Sequence, residues 1–474
     1  MSRPLFVALQ QLLGARHVQS NEEAAAYLTD KQGRYVGQVI AAVHPASTEE
    51  VAAVVRACVA CDTPVVVQGG NTGLMGGATP DASGRAVLLL LDRMNRVRAV
   101  DTDNDTLTVE AGCILQTIQD VARDAGRLFP LSLGAEGSCT IGGNLGTNAG
   151  GTAVLRYGNT RELTLGLEVV TAQGEIWNGL RGLRKDNTGY DLRDLFIGSE
   201  GTLGIITAAT LKLFPLPKAQ ATALLAFDSL AQAVTFLSHA RAGFGASLTA
   251  FELLGAECLA LLREQFPEGP QPFLGARQPW FALLELSDNH NEDHAREAFE
   301  QVLGEAFELR LLADALIAES LAQSQALWLL RENMSEAQKR AGRNMKHDIS
   351  VPISQVVAFV ADTDALLQRH FPGVRHYTFG HLGDGNLHYN VAHPQDSTVE
   401  AHMVHYAALS QLVHDSAHAH GGSISAEHGI GQHKRDMLGR YKSPVELNLM
   451  RRIKQALDPN NLLNPGKVLE AVQS

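Results

Sequence analysis

Three glycine-rich, nearly uncharged loops limit most strongly how this chain can fold. They occupy residues 69–77, 133–151 and 198–204, and apolar segments such as 86–91 and 106–110 lie between them. Linkers would be rich in Ser or Pro and would lack such strands. Glycine loops between strands present backbone N–H groups without side-chain cover, as phosphate binding requires. The pattern predicts close backbone approach to a long, planar cofactor that carries phosphate.

Neither of the common nucleotide-binding motifs is present. Residues 69–77 lack the Gly-Lys-Ser/Thr ending of a P-loop, and their glycine spacing differs from the Rossmann pattern. One such loop alone would also fit a flexible connection. The three together favour a phosphate-bearing cofactor held by another fold.

Glycine density falls after Phe214–Pro217 and helical periodicity takes over, which indicates a domain boundary. At 474 residues the chain suits two or three domains. The segment from about Glu427 is expected to return to the first domain. The predicted division is 1–38 (N-terminal helical segment), 39–217 (first domain), 218–426 (second domain, with a helix over 316–340) and 427–474 (C-terminal segment).

The charge pattern excludes several classes of partner. Lys and Arg number 39 against 51 Asp and Glu, a net charge of −12, and there is no basic run. Binding to nucleic acid or to an anionic membrane is therefore disfavoured. No apolar run approaches the roughly 20 residues that span a bilayer, and the N-terminus lacks a signal-peptide core, so a cytoplasmic location is expected. Five scattered cysteines argue against a disulfide framework, and Cys58 and Cys61 are interpreted as packing residues.

The segment His381–His388 carries the most chemistry. Residues 383–386 have the composition of a tight reversal between two strands. If they form the loop, His381 faces His388 with Cβ atoms roughly 4.5–5.5 Å apart, a candidate metal chelate. Asn390 would share that strand face. A hairpin with two hydrogen-bonded histidines is the alternative.

Two further groups of side chains could serve the same site. Glu427 could complete a three-ligand metal site that keeps an open position, with His428 beside it as a base. Arg331 and Ser335 are four residues apart, hence on one helix face, and with Lys346 they would suit a substrate carboxylate. Exposed helical arginines are common, so that spacing alone favours a surface role. A second histidine group is interpreted as a solvated helix face: His402, His405, His414, His418 and His420.

In combination these motifs resemble the FAD-dependent D-2-hydroxyacid dehydrogenases of the vanillyl-alcohol oxidase type, over roughly residues 38–470. The resemblance implies an α+β fold with a FAD-binding domain of two α/β subdomains. It also implies a substrate (cap) domain whose antiparallel sheet is flanked by helices. The cofactors implied are FAD and Zn²⁺ or another divalent metal. Because no histidine lies in the 69–77 loop, the FAD would be bound non-covalently.

The resemblance also assigns roles. His381, His388 and Glu427 match metal ligands, and His428 matches the catalytic base. Arg331, Ser335, Lys346 and Asn390 match substrate-binding positions, with Ser335 standing where threonine is expected. The cofactor positions are Gly69, Gly70, Asn71, Thr72, Gly73, Leu74, Gly77, Leu133, Gly134, Ser138, Ile141, Gly142, Gly143, Asn144, Thr147, Asn148, Gly150, Gly151, Glu200, Gly201, Ile206 and Asn464.

The implied reaction is oxidation of a D-2-hydroxy acid to the 2-oxo acid. Hydride would pass from C2 to flavin N5 while His428 takes the hydroxyl proton. D-2-hydroxyglutarate is the expected substrate, with D-lactate and D-malate as alternatives, and electrons would leave to a protein or quinone acceptor. A homodimer is left open. Two other classes are open. One is a metal-binding protein without flavin, and the other is a flavin subunit without chemistry of its own, which has no need of these metal-binding and basic residues together.

Overall fold

A computed structural model of the chain describes residues 2–273 and 275–470. Contacts between residues divide the chain into two units. The first unit contains the chain up to Gly150, residues 158–215 and the segment that starts at Glu427. The second contains residues 151–157 and 216–426. The short segment 151–157 thus belongs to the second unit, although the first unit flanks it in sequence.

The elements are numbered in chain order. The strands are β1 (Val18–Gln19), β2 (Val39–Val43), β3 (Val65–Gln68), β4 (Ala86–Leu90), β5 (Val97–Asp101), β6 (Thr106–Glu110), β7 (Arg127–Leu128), β8 (Thr164–Val170), β9 (Ile176–Gly179), β10 (Ile205–Lys212), β11 (Phe214–Pro215), β12 (Ala219–Phe227), β13 (Leu248–Gly255), β14 (Trp280–Asp288), β15 (Asp314–Ile317), β16 (Asp348–Ser350), β17 (Arg375–His381) and β18 (Asn386–Ala392). The α-helices are α1 (Ser2–Leu13), α2 (Thr48–Ala60), α3 (Leu115–Asp124), α4 (Ile141–Thr147), α5 (Val154–Tyr157), α6 (Leu192–Phe196), α7 (Leu230–Phe244), α8 (Ala256–Gln265), α9 (Glu292–Glu308), α10 (Leu321–Glu332), α11 (Met334–Arg340), α12 (Val356–His370), α13 (Val399–Met403), α14 (Tyr406–Ala419), α15 (Leu438–Tyr441) and α16 (Pro444–Leu457).

A four-stranded sheet in the order β1-β2-β4-β3 carries the first glycine-rich loop, which follows β3. β2, β4 and β3 run parallel, and the side chains of β4 are buried throughout, as expected for strands covered on both faces. Helices α1 and α2 pack here through Leu9, Val51 and Val55. Ser47 caps α2, because its hydroxyl accepts a hydrogen bond from the Glu50 N–H at 3.2 Å.

The other large sheet of the first unit is antiparallel, in the order β5-β6-β10-β8-β9. β6 confirms the strand predicted at 106–110. The loop at 133–151 is not wholly irregular, since it contains α4. The loop at 198–204 leads directly into β10. A helix thus lies within one of these loops, and a strand directly follows the other.

The second unit is built on a seven-stranded sheet in the order β15-β12-β14-β13-β17-β18-β16, antiparallel at each pairing. Helices α7, α9, α12 and α14 cover one face, with Phe236, Phe299 and Phe359 in that core. Helices α8, α10 and α11 cover the other face through Leu262, Leu327 and other apolar residues. This is the predicted antiparallel sheet flanked by helices.

The single helix predicted over 316–340 is wrong. Leu316 and Ile317 belong to the edge strand β15, which pairs with β12. The Ser320 side chain then caps α10, and Asn333, with φ −73° and ψ −8°, separates α10 from α11. Pairing with the sheet outweighs the helical periodicity of the first residues.

The cysteines form no disulfide in the part of the chain that the structure describes. Cys58 is buried in α2, and burial raises the pKa of its thiol to about 12. Cys61 is exposed just after the helix ends. The packing role predicted for both is therefore wrong for Cys61.

Candidate active site

The two hairpin histidines meet, although not as directly opposed residues. β17 and β18 pair with Phe379 opposite His388 and Tyr377 opposite Asn390. The predicted register, with His381 facing His388, is therefore wrong by two residues. A shift of two keeps side chains on the same face, and diagonal neighbours remain within reach of ring side chains. The ring centroids of His381 and His388 lie 5.6 Å apart.

Gly380 explains the shift. Its φ of 142° is open to glycine, and a Cβ there would lie 2.7 Å from the carbonyl oxygen of Asn386. The strand bends at this point, and His381 pairs with Glu252 of β13. Leu382 and Leu387 are both fully buried in the core on the opposite face.

Glu252 is the carboxylate that organises His381. It is 1 % exposed, and its Oε1 accepts a hydrogen bond from His381 Nδ1 at 2.6 Å. Its Oε2 accepts one from Arg331 Nε, also at 2.6 Å. Burial alone would raise the pKa of Glu252, but its His381 and Arg331 partners outweigh burial and lower the pKa to about 2. Glu252 is therefore ionised at any pH at which the protein would work.

Arg331 lies at the end of α10, over the sheet. Its guanidinium carbon stands 5.1 Å from the centre of the Phe379 ring, and its Nη2 lies 3.4 Å from His381 Nε2. One edge of the guanidinium is bound to Glu252 and an end nitrogen lies beside His381. Arg331 and His381 are therefore neighbours in the structure. The sequence suggested that they serve the same site but did not predict this contact.

The other three predicted substrate-binding residues differ in burial and in the element that carries each. Ser335 is exposed on α11 and does not share a helix with Arg331, so the predicted common helix face is wrong. Lys346 is exposed two residues before β16. Asn390 is buried, and its amide donates to Gln338 Oε1 at 2.9 Å and accepts from the His347 N–H at 3.1 Å. Their substrate roles stay predictions.

Glu427 directly follows Ala426, the last residue of the second unit, whose N–H donates to Asp348 Oδ2 at 3.2 Å. One candidate ligand atom from each of His381, His388 and Glu427 lies within 4.8 Å of the other two. Neutral imidazole and carboxylate are the ligand types of catalytic zinc sites, where three protein ligands leave a further position open. The three residues fit a divalent ion.

Two carboxylates lie near the predicted base His428. Its Nε2 lies 3.4 Å from Glu427 Oε1. Ligand atoms of Asp348, Glu427 and His428 also lie within 4.8 Å of one another. Asp348 was not anticipated from the sequence. A proton taken up by His428 would therefore have carboxylate neighbours.

The second histidine group is only partly a solvated face. His402 and His414 are each 4 % exposed, so the predicted solvated face is wrong for them. The His414 ring packs edge-on against His347, with centroids 5.6 Å apart. His418, one helical turn further along, is exposed. Core packing explains the buried members without a metal.

The glycine-rich loops of the first unit approach one another at backbone distance. A Cβ at Gly69 would overlap Thr140 Oγ1, and one at Gly70 would overlap the carbonyl oxygen of Ser138. At Gly73, by contrast, a Cβ would meet open space. Thr140 Oγ1 is buried without a hydrogen-bond partner among the described residues. A cradle without side chains and an unsatisfied buried hydroxyl fit a polar cofactor such as FAD.

Glu200 and Asn464 tie these loops to the C-terminal segment. The Glu200 carboxylate accepts the backbone N–H groups of Ile430 and Gly431, each at 2.7 Å. Burial raises the pKa of Glu200, although these two N–H groups lower it. Asn464 Nδ2 donates to the carbonyl oxygens of Gly77 and Glu200 at 3.0 and 2.6 Å. Both side chains hold backbone in place, and direct contact with a cofactor stays a prediction for them and for the other cofactor positions.

Glu285 of β14 is a second carboxylate under α10. Its Oε2 accepts a hydrogen bond from Trp328 Nε1 at 2.7 Å. Burial raises the pKa of Glu285 to about 7, against the lowering effect of that bond. Trp328 and Arg331 are one turn apart, so two carboxylates of the sheet anchor α10.

Glu285→Gln is expected to stabilise the protein at alkaline pH. Because the folded-state pKa is above that of the unfolded chain, the wild type loses stability as pH rises from about 4.5 to about 7. That loss is on the order of 3 kcal/mol, and glutamine avoids it while still accepting the Trp328 bond. The melting temperature of the variant should exceed that of the wild type by a few degrees at pH 8 and by little at pH 5. An equal difference at both pH values would contradict the assignment.

Sequence reasoning missed Glu252 and Glu285. Both were visible as single acidic residues inside otherwise apolar strands, 248–255 and 280–286. A lone carboxylate at such a position has to find a donor, because an unpaired buried charge is very costly. The sequence could not show which side chains would donate hydrogen bonds to Glu252 and Glu285.

Family comparisons agree with this architecture. Residues 39–179 match the family described as the FAD binding domain. Residues 216–468 match the family described as FAD linked oxidases, C-terminal domain. Both matches together define a FAD-binding oxidoreductase.

Curated relatives narrow the class. D-2-hydroxyglutarate dehydrogenase from Xanthomonas citri pv. viticola is 40% identical over 476 residues, covering 99% of this chain and 98% of that protein. The mitochondrial D-2-hydroxyglutarate dehydrogenase of Bos taurus is 38% identical over 469 residues, covering 98% of this chain and 83% of that protein. The chain therefore belongs to the FAD-linked oxidase family, in the branch of its D-2-hydroxyglutarate dehydrogenases.

Solved structures show the same fold. A p-cresol methylhydroxylase with bound substrate superposes with a TM-score of 0.79 at 18% identity, covering 98% of this chain and 96% of that chain. A 4-ethylphenol oxidase from Gulosibacter chungangensis superposes with a TM-score of 0.75 at 19% identity, covering 99% and 97%. These are flavoproteins of the vanillyl-alcohol oxidase type, and the fold predicted from the resemblance is confirmed.

Within residues 2–273 and 275–470, no helix has the length and apolar character needed to cross a membrane. The Bos taurus relative carries the word mitochondrial in its name. The cytoplasmic location of this chain stays a prediction.

Proposed function

We propose that the protein oxidises D-2-hydroxyglutarate to 2-oxoglutarate, using FAD and a divalent metal ion such as Zn²⁺. D-lactate and D-malate are the alternative substrates. One observation carries the proposal: the candidate ligand atoms of His381, His388 and Glu427 cluster, and the Arg331 guanidinium lies 3.4 Å from His381. The names of the relatives favour the substrate.

The cofactors would supply two kinds of chemistry. FAD, held by the glycine-rich loops of the first unit, would supply a hydride acceptor at its N5 atom. A divalent ion held by His381, His388 and Glu427 would supply Lewis acidity toward the substrate hydroxyl. FAD-linked chemistry follows from the family, whereas the metal and the hydride acceptor atom belong to the proposal.

The residues of the chain then divide the remaining work. Arg331 binds a substrate carboxylate, because its planar guanidinium can donate two parallel hydrogen bonds. His428 removes the proton of the C2 hydroxyl as the carbonyl forms, and Glu427 and Asp348 lie beside the resulting cation. Lys346, Ser335 and Asn390 complete the substrate contacts in this proposal. The electrons finally leave to a protein or quinone acceptor.

A substrate panel tests the proposal. Reduction of an artificial dye is measured with D-2-hydroxyglutarate, D-lactate, D-malate, glycolate and the control L-2-hydroxyglutarate. We expect kcat/KM for D-2-hydroxyglutarate to exceed that for D-lactate at least about tenfold, since a second carboxylate can form a further charge-assisted hydrogen bond. We expect no activity with the L isomer. A preference for D-lactate would replace the proposed substrate by the alternative.

A further inference from the structure

Glu252 occupies a position where a carboxylate has no access to water. It lies in the middle of β13, between Leu283 of β14 and His381 of β17 in the ladder. Burying an isolated carboxylate is very costly unless both oxygens are hydrogen-bonded. Here both oxygens are used, one by a ring nitrogen and one by a guanidinium. The proposed metal ligand His381 and the proposed substrate-binding Arg331 therefore share the buried carboxylate of Glu252.

The geometry fixes the tautomer of His381. Arg331 Nη2, 3.4 Å from Nε2, can only donate, so Nε2 carries the lone pair. The ring hydrogen of the neutral imidazole then lies on Nδ1, which donates to Glu252 Oε1 at 2.6 Å. Nε2 is therefore the nitrogen that can bind a metal.

The same carboxylate orients Arg331. Its hydrogen bond to Nε fixes the plane of the guanidinium, and the Phe379 ring lies 5.1 Å from the guanidinium carbon. The Glu252 hydrogen bond and the Phe379 ring together restrict the orientation of the two terminal nitrogens of Arg331. A guanidinium held in this way loses little freedom when it binds a carboxylate.

We propose that Glu252 is a positioning residue that sets the metal-binding tautomer of His381 and the substrate-binding orientation of Arg331 at the same time. The inference rests on the proposed function and deepens it, because one buried anion couples the metal ligand to the substrate-carboxylate group. Partners that orient metal-binding histidines typically change metal affinity 10–100-fold.

Glu252→Gln separates this role from general packing. Glutamine has nearly the same shape but offers one acceptor and one donor group, so it cannot accept from both His381 and Arg331. Where its amide donates to Nδ1, the hydrogen of His381 moves to Nε2, the metal-binding nitrogen. The matched control is Glu285→Gln, because Glu285 also lies on this sheet and anchors α10 without touching His381 or Arg331.

The experiment measures metal binding without reference to turnover. Flavin-loaded, metal-free wild type, Glu252→Gln and Glu285→Gln are titrated with Zn²⁺, and bound zinc is counted after gel filtration. We expect the Zn²⁺ dissociation constant to rise 10–100-fold in Glu252→Gln and to stay within about twofold in the control. At saturating Zn²⁺, the KM for substrate should remain raised in Glu252→Gln. Unchanged zinc affinity in Glu252→Gln would overturn the proposal.

A measurement on the wild type covers the case in which Glu252→Gln does not fold. Protein with ¹⁵N-labelled histidine should show a hydrogen on Nδ1 of His381, and the resonance is assigned by its disappearance in His381→Asn. A hydrogen on Nε2 in the metal-free protein would overturn the assignment. If the wild type binds no Zn²⁺, the proposed function is wrong about the metal. The position of the His381 ring hydrogen then still tests whether Glu252 sets the tautomer.

Discussion

His428→Ala is expected to slow the reduction of bound FAD by D-2-hydroxyglutarate while FAD stays bound. Without the group that accepts the hydroxyl proton, the carbonyl forms far more slowly as hydride departs, because general bases contribute about 10²–10⁴-fold. The measurement is anaerobic bleaching of the flavin absorption after mixing with substrate. The rate constant should fall by that factor, with an unchanged oxidised spectrum.

The matched control is His433→Ala. His433 lies in the same C-terminal segment, where its ring nitrogens contact the Tyr35 hydroxyl and the Arg34 guanidinium, each at 3.1 Å. It should bleach at nearly the wild-type rate. Photoreduction of the flavin in His428→Ala shows that the cofactor still accepts electrons. Bleaching at the wild-type rate in His428→Ala would remove this residue from the role of base.

Local chemistry in the sequence was enough to predict most elements that carry the site. The strands at 86–91 and 106–110 and the hairpin around residues 383–386 each follow from a few neighbouring residues, and the structure contains all three. Such features depend on hydrogen bonds and alternation within one segment. Short-range patterns are therefore reliable here.

Features that depend on a neighbouring strand were not predictable. The hairpin register depends on how Gly380 lets the chain bend toward β13, and Ser335 lies on a separate helix from Arg331 because the helix breaks at Asn333. Glu252 lies about 80 residues before Arg331 in the chain and nearly 130 before His381, and only the folded sheet brings them together. The candidate metal ligands were predicted from the sequence and the family resemblance. The contacts that orient His381 and Arg331 become visible only in the folded structure.

His388→Ala is expected to lose the divalent ion and most of the turnover. His388 lies on β18 with its ring 5.6 Å from that of His381, and removing it leaves two candidate ligands. Loss of one group that stabilises developing charge costs roughly 10²–10³-fold in kcat. Metal content after dialysis and dye-reduction rates, with and without added Zn²⁺, are the measurements.

The control for this variant comes from the same hairpin. His376 of β17 contacts the Tyr389 hydroxyl at 3.1 Å and Asp364 at 3.0 Å, so His376→Ala disturbs the strand pair without removing a candidate ligand. It should keep the wild-type metal content. Because His428→Ala should also retain the ion, the three variants separate ligand, base and scaffold. If His388→Ala keeps both the ion and the turnover of the wild type, the two hairpin histidines meet only as packed rings.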